Sequence, residues 1–202
     1  MADKLKIEIF RDKNAAELTA ALASPACRAE GGSAAAYTAA LSCSLLERAA
    51  AICASAACEN ERLAYIARNC GILREYMVHL IDEDVKSKRP MSRARKEGGE
   101  REFEATLQTA SCIDAEIVNM MKPALEFAEE LLSLCPTGER HFLLEAAELA
   151  MAAVRVAQSV VFSYADQSTD ETYRFVTHRE NEIFYAERCA IYERIAAQCK
   201  AQ

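Results

Sequence analysis

The 202-residue sequence predicts an all-α fold, a single-domain bundle of about six helices spanning residues 1–202. Three observations carry that expectation. The chain has only 6 Gly and 4 Pro beside abundant Ala, Leu, Glu and Arg, a composition that favours long helices over a many-turned β architecture. Leu63, Ile66, Cys70, Leu73, Met77 and Leu80 follow one another at alternating spacings of three and four, the period of a helix with one buried face. Asn14 followed by Glu17 has the spacing of a capping box, a helix start written in the sequence.

The opening KLKIEIF alternates and is expected to be extended. Asn14 and Glu17 then open a first helix, NAAELTAALAS, which Pro25 closes. Gly31-Gly32-Ser33 ends the next loop, with Ser33 as the expected N-cap of an alanine-rich second helix running to about Cys58. A third helix begins near Asn60. Extending its apolar stripe by four residues lands on Asp84, whereas Asp82 falls on the face shared with Glu75, Val78 and His79. VKSKRPMSRARKEGG is expected to be a basic loop around Pro90, completed by Gly98-Gly99. The fourth helix, from EREFE to LLSL, is expected to bend at Pro123. After the turn CPTGER, the positions Leu143, Ala147, Ala150, Val154 and Val161 mark a fifth helix. Ser168 or Thr169 is the expected cap of the last, whose apolar positions Ile183, Ala190, Ile191 and Ile195 lie among charges.

A net charge of -7 argues against a general nucleic-acid binder, which needs a concentrated basic surface. There is no run of about 18 uncharged apolar residues, and MADKLKIEIF lacks the features of a signal peptide, so a cytoplasmic protein without membrane contact is expected. Several of the nine cysteines fall among alanines in helical segments, and the cysteines read as small apolar fillers, unpaired in a reducing compartment. With no CxxC pair and no matching His pair, no metal is expected, and a surface ion pair accounts for His79, Asp82 and Glu83.

A proline followed by GGSAAA at the mouth of an alanine helix, with LIDEDV at the end of the helix after it, resembles the formimidoyltetrahydrofolate cyclodeaminase and methenyltetrahydrofolate cyclohydrolase family. The resemblance extends over nearly the whole chain. It implies a homodimeric helical fold and one-carbon chemistry on a tetrahydrofolate derivative, with no cofactor beyond that substrate. The chain departs from the family pattern at identifiable places. Glu30 stands where a third glycine is usual, Ser87-Lys88 where Ala-Phe is typical, and Ser159 and Ser163 where the family tends to carry two asparagines.

The implied reaction attacks a folate amidine carbon, with water in a cyclohydrolase or with the folate's own nitrogen in a cyclodeaminase, and either route needs a proton acceptor. Asp84, on the apolar seam, is the first candidate, because desolvation can bring a carboxylate toward neutrality, and Asp82 is the second. Gly31, Gly32 and Ser33 are candidate substrate-binding residues at a helix N-terminus. Lys88, Arg89, Arg93 and Arg95 are candidates for the anionic glutamate tail of the folate, which is often polyglutamylated. Methenyl hydrolysis is marginally preferred, because the chain carries no transferase domain to supply a formimino folate. The alternative is a catalytically degenerate family member that serves as a folate-binding or helical interaction protein.

Overall fold

The computed structural model describes residues 8–56, 60–136, 138 and 140–200. Six helices follow in order: α1 (Ala15–Leu22), α2 (Gly31–Ala56), α3 (Glu61–Glu97), α4 (Glu100–Leu134), α5 (Arg140–Ala165) and α6 (Glu171–Lys200). No strand occurs among the described residues. The expected extended start lies mostly outside them, as does Cys58.

The start of α1 is the capping box that the spacing predicts: Glu17 N donates to Asn14 Oδ1 at 2.9 Å, and Asn14 N to Glu17 Oε2 at 3.1 Å. Asn60 caps α3 in the expected place. The cap of α6 is neither Ser168 nor Thr169. Asp170 Oδ1 accepts from the N–H groups of Thr172 and Tyr173, while the Ser168 hydroxyl is drawn to Glu104 of α4.

Helix α2 packs chiefly against α3 and α5, α4 against α5 and α3, and α6 lies over α5 and α4. This is possible because Ala35, Ala36, Ala39, Ala40, Ala49 and Ala50 give α2 almost no girth, and all are buried. Ser42 ties it to α5 by donating to Ala146 O at 2.7 Å. Both flanks of α2 are therefore covered within the chain. The stripe of α3 is buried at Leu63, Ile66, Cys70, Met77 and Leu80, and all five marker positions of α5 are buried as well. By length and composition α5 is apolar enough to cross a membrane, but here its apolar face lies in the core. In α6, Ile191 and Ile195 are buried while Ile183 is exposed.

Two further expectations are corrected. The basic segment around Pro90 is not a loop: α3 continues through it to Glu97. Pro90 lacks the N–H that would bond the Lys86 carbonyl, a cost of about 3 kcal/mol in a helix interior. Val85 and Ala94, buried on either side of it, and the hydroxyls of Ser87 and Ser92, bonded to the carbonyls of Asp84 and Lys88, hold the helix together. The thiols are also not all free, because Cys53 at the end of α2 and Cys135 after α4 form a disulfide with Cα atoms 5.4 Å apart. Two buried cysteines brought together by packing are invisible as a pair at a sequence separation of 82. Closing so long a loop stabilises by up to about 4 kcal/mol, so reduced protein is expected to melt roughly 10 °C below oxidised protein. Coincident melting curves would show that the bridge does not form in solution.

Candidate active site

Between the C-terminal half of α3, the segment before α2 and the end of α5 lies a cleft of about 930 Å³. The stripe that buries Leu80 continues at helical spacing through Asp84, Lys88, Met91 and Arg95. It changes from apolar to ionic as α3 leaves the core and becomes the cleft wall.

Asp84 is fully buried and held from three sides. Ser33 N donates to its Oδ2 at 2.9 Å and the Ser33 hydroxyl to the same oxygen at 2.6 Å, while Lys88 Nζ lies 2.9 Å from Oδ1. The first turn of α2 thus does bind an anion, namely a carboxylate of the same chain. Ser33 is not the N-cap that the sequence predicts. It sits inside the helix, and its hydroxyl also lies 3.0 Å from Ile81 O.

A second carboxyl faces the same spot. A Cβ on Gly32 would stand 2.5 Å from Asp84 Oδ1 and closer still to Asp114 Oδ1, so Gly32 is the gap in which two acids from α3 and α4 meet. Neither oxygen of Asp114 has a hydrogen-bond partner among the described residues. Burial, reinforced by the charge of Asp84 and opposed by Lys88, pushes the Asp114 carboxyl up to about 8. At neutral pH it therefore holds a proton. Sequence reasoning missed Asp114, although the signal that marked Asp84 marks it too: Leu107, Ala110, Asp114, Val118, Met121 and Leu125 form the buried stripe of α4.

Lys88 bridges outward. Its Nζ lies 3.3 Å from Glu30 Oε2, and its side chain is 13% exposed against 67% for that of Glu30. Burial alone would lower the Lys88 ammonium, but the charge and hydrogen bond of Asp84 outweigh it and hold the group above the ordinary lysine value. Tyr164 of α5 lines the cleft, with its phenol pushed up by burial and by the nearby acids Asp114 and Asp84.

A model of the formiminotransferase-cyclodeaminase family matches residues 14–182. The chain belongs to that family. Among solved structures, it is similar to formiminotetrahydrofolate cyclodeaminase from Thermotoga maritima, with a TM-score of 0.88 and 20% identity over 94% of this chain and 97% of the other. No curated protein matches the sequence.

Against the family pattern, the two departures at Glu30 and Lys88 are partners in one ion-pair chain that ends on Asp84. Ser159 and Ser163 line the cleft from α5, and Gly31 lies under the same helix, where an added Cβ would be 3.0 Å from Val160 Cγ2. Lys88, Arg89, Arg93 and Arg95 all reach the cleft. Arg89 and Arg93 make no ion pair among the described residues, and Arg89 Nε is buried without a hydrogen-bond partner. Arg95 stacks over the Phe103 ring at 5.0 Å and bonds Gln167.

The structure does not bring Asp82 to this cluster. Because α3 stays regular, residues two apart face different ways, and Asp82 Oδ1 accepts from Phe10 N at 2.7 Å and from Arg11 N at 3.4 Å. It fastens the segment before α1 to the bundle.

The raised Asp114 carboxyl has a consequence for stability. The folded chain keeps this proton to about pH 8, whereas the unfolded chain releases it near the ordinary 3.8. The contribution is therefore complete at acid pH and is lost as pH rises through about 8. Asp114→Asn is expected to flatten the decline of Tm between about pH 5 and pH 8. An unchanged slope would place the proton on another group.

Proposed function

We propose that this chain performs acid–base chemistry at the amidine carbon of a tetrahydrofolate one-carbon unit, as a methenyltetrahydrofolate cyclohydrolase or a formimidoyltetrahydrofolate cyclodeaminase. The observation that carries the reading is the pairing of Asp84 with a protonated Asp114 behind a cationic cleft. In hydrolysis, Asp84 accepts the proton of the attacking water and Asp114 donates to the departing ring nitrogen. In cyclodeamination, Asp84 accepts the proton of the attacking folate nitrogen and Asp114 donates to the departing ammonia. Both reactions need one acceptor and one donor at neutral pH, which two carboxyls in unlike surroundings supply. No cofactor enters either scheme.

Arg89 and Arg93 are the cations placed to receive the anionic glutamate tail, with Arg95 already engaged by Phe103 and Gln167. Gly32 and Ser33 serve the substrate indirectly, by shaping and holding Asp84, and Gly31 by letting α5 approach the start of α2. The homodimer that the family likeness implies belongs to the same proposal. Apolar side chains left exposed for such an interface include Val156 of α5 and Phe175, Val176 and Ile183 of α6. Sedimentation showing only single chains at micromolar concentration would remove the dimer from the proposal.

The test measures two activities side by side: decay of methenyltetrahydrofolate absorbance above the spontaneous rate, and ammonia release from formiminotetrahydrofolate. Enhancement of the first identifies a cyclohydrolase, and enhancement of the second a cyclodeaminase. Tight folate binding without either activity would leave a binding module, and neither binding nor turnover would end the folate reading.

A further inference from the structure

We propose that Lys88 sets which folates this site accepts: it is an internal counter-cation that competes with the cationic one-carbon group of the substrate for Asp84 and withdraws to Glu30 when that group docks. The inference rests on the folate reading above. Its basis is the position of one ammonium group. Asp84 has no exposed surface and does not line the cleft, whereas Val85, Lys88 and Glu30 do. Lys88 Nζ stands between them, 2.9 Å from Asp84 Oδ1 and 3.3 Å from Glu30 Oε2.

A methenyl or protonated formimino group is an amidinium, a planar cation whose natural partner is a carboxylate. Asp84 is already matched by Lys88. Asp114, holding its proton, adds no negative charge, and the nearby Arg89 and Arg95 add only positive charge. A second cation brought to the same buried carboxylate is repelled by the first, and the low dielectric that strengthens the pair also strengthens that repulsion. An amidinium therefore gains the full attraction of Asp84 only if Lys88 leaves it.

Glu30 makes that departure inexpensive. Among the described residues it is the exposed carboxylate paired with Nζ, and its exposure lets water screen the relocated charge. A four-carbon stem anchored on α3 allows the ammonium to swing without moving the helix. A folate with a neutral one-carbon group gains nothing from the swing, so discrimination by charge follows from the geometry. Had Lys88 been a receptor for the glutamate tail, its ammonium would face the open cleft rather than a buried acid.

The experiment measures dissociation constants by rapid mixing, before turnover, for cationic methenyltetrahydrofolate and for formyltetrahydrofolate, whose one-carbon group is a neutral amide. Lys88→Met is expected to tighten methenyltetrahydrofolate by about tenfold or more and to leave formyltetrahydrofolate within about twofold. Lys88→Gln, which can still hydrogen bond Asp84, shows the same pattern and serves if Lys88→Met does not fold. Glu30→Gln weakens methenyltetrahydrofolate alone, and this loss disappears when Lys88 is also replaced. Equal weakening of both ligands by Lys88→Met would make Lys88 a tail receptor and overturn the proposal, as would no change in either. Failure of both ligands to bind any variant, the unaltered chain included, would instead remove the folate reading on which the proposal stands.

Discussion

Asp84→Asn is expected to lower turnover by about two orders of magnitude or more while the helical fold stays intact. The amide copies the shape of the carboxyl and can still accept the Ser33 N–H and hydroxyl bonds, so the first turn of α2 keeps its tertiary anchor. What it loses is the capacity to take a proton and the charge opposite Lys88. Glu30 remains 3.3 Å from that ammonium, which limits the stability cost of the change. Glu75→Gln is the control: Glu75 is exposed on the same helix, off the stripe, with only a 3.7 Å contact to Arg74. Equal activity losses in the two variants would attribute the effect to the general charge of α3. A drop in Tm with activity retained would make Asp84 a structural anchor for α2 and nothing more.

Gly32→Ala is expected to remove activity as thoroughly, and to destabilise the fold where helix propensity alone says the opposite. Alanine is favoured over glycine by about 1 kcal/mol in a helix interior. At this position, however, its Cβ would stand 2.5 Å from Asp84 Oδ1, 2.7 Å from Asp84 Cγ, and closer still to Asp114. Asp84 cannot step aside, because Ser33 and Lys88 hold it, and Asp114 has buried helix packing around it. Overpacking of this kind costs about 1–3 kcal/mol, which for a chain of this length lowers Tm by several degrees. The two acids are pushed apart at the same time, and with them the unequal surroundings that divide donor from acceptor. Gly31→Ala is the comparison, since its nearest neighbour would be a valine methyl at 3.0 Å, which can shift. A more stable and fully active Gly32→Ala protein would refute the packing of the Asp84 and Asp114 carboxyl groups against Gly32.

The sequence by itself determined the helices, apart from the stretch of α3 around Pro90, and the buried faces of α3 and α5. Capping at Asn14 and the three-four period of α3 are local rules, set by neighbours within one or two turns, and so they can be read without knowing what lies opposite. The same period carried Asp84 to the core side, and applied to α4 it would have carried Asp114 there too. Only the tertiary structure decided what these groups meet. Ser33 reads as a cap from its place in the chain, but 51 residues separate it from the carboxylate that uses its hydroxyl. Pro90 reads as a loop because its local cost is certain, while the burial of Val85 and Ala94 that offsets it depends on packing partners. Cys53 and Cys135 read as fillers because burial is written in their neighbours and pairing is not. Glu30 and Lys88 read as two separate departures from a family pattern, and they become one ion pair only when α3 is laid against the start of α2. Helix formation is governed by short-range geometry and is written along the chain. Charge pairing, desolvation and covalent cross-links depend on distances between elements, which exist only once the bundle has closed.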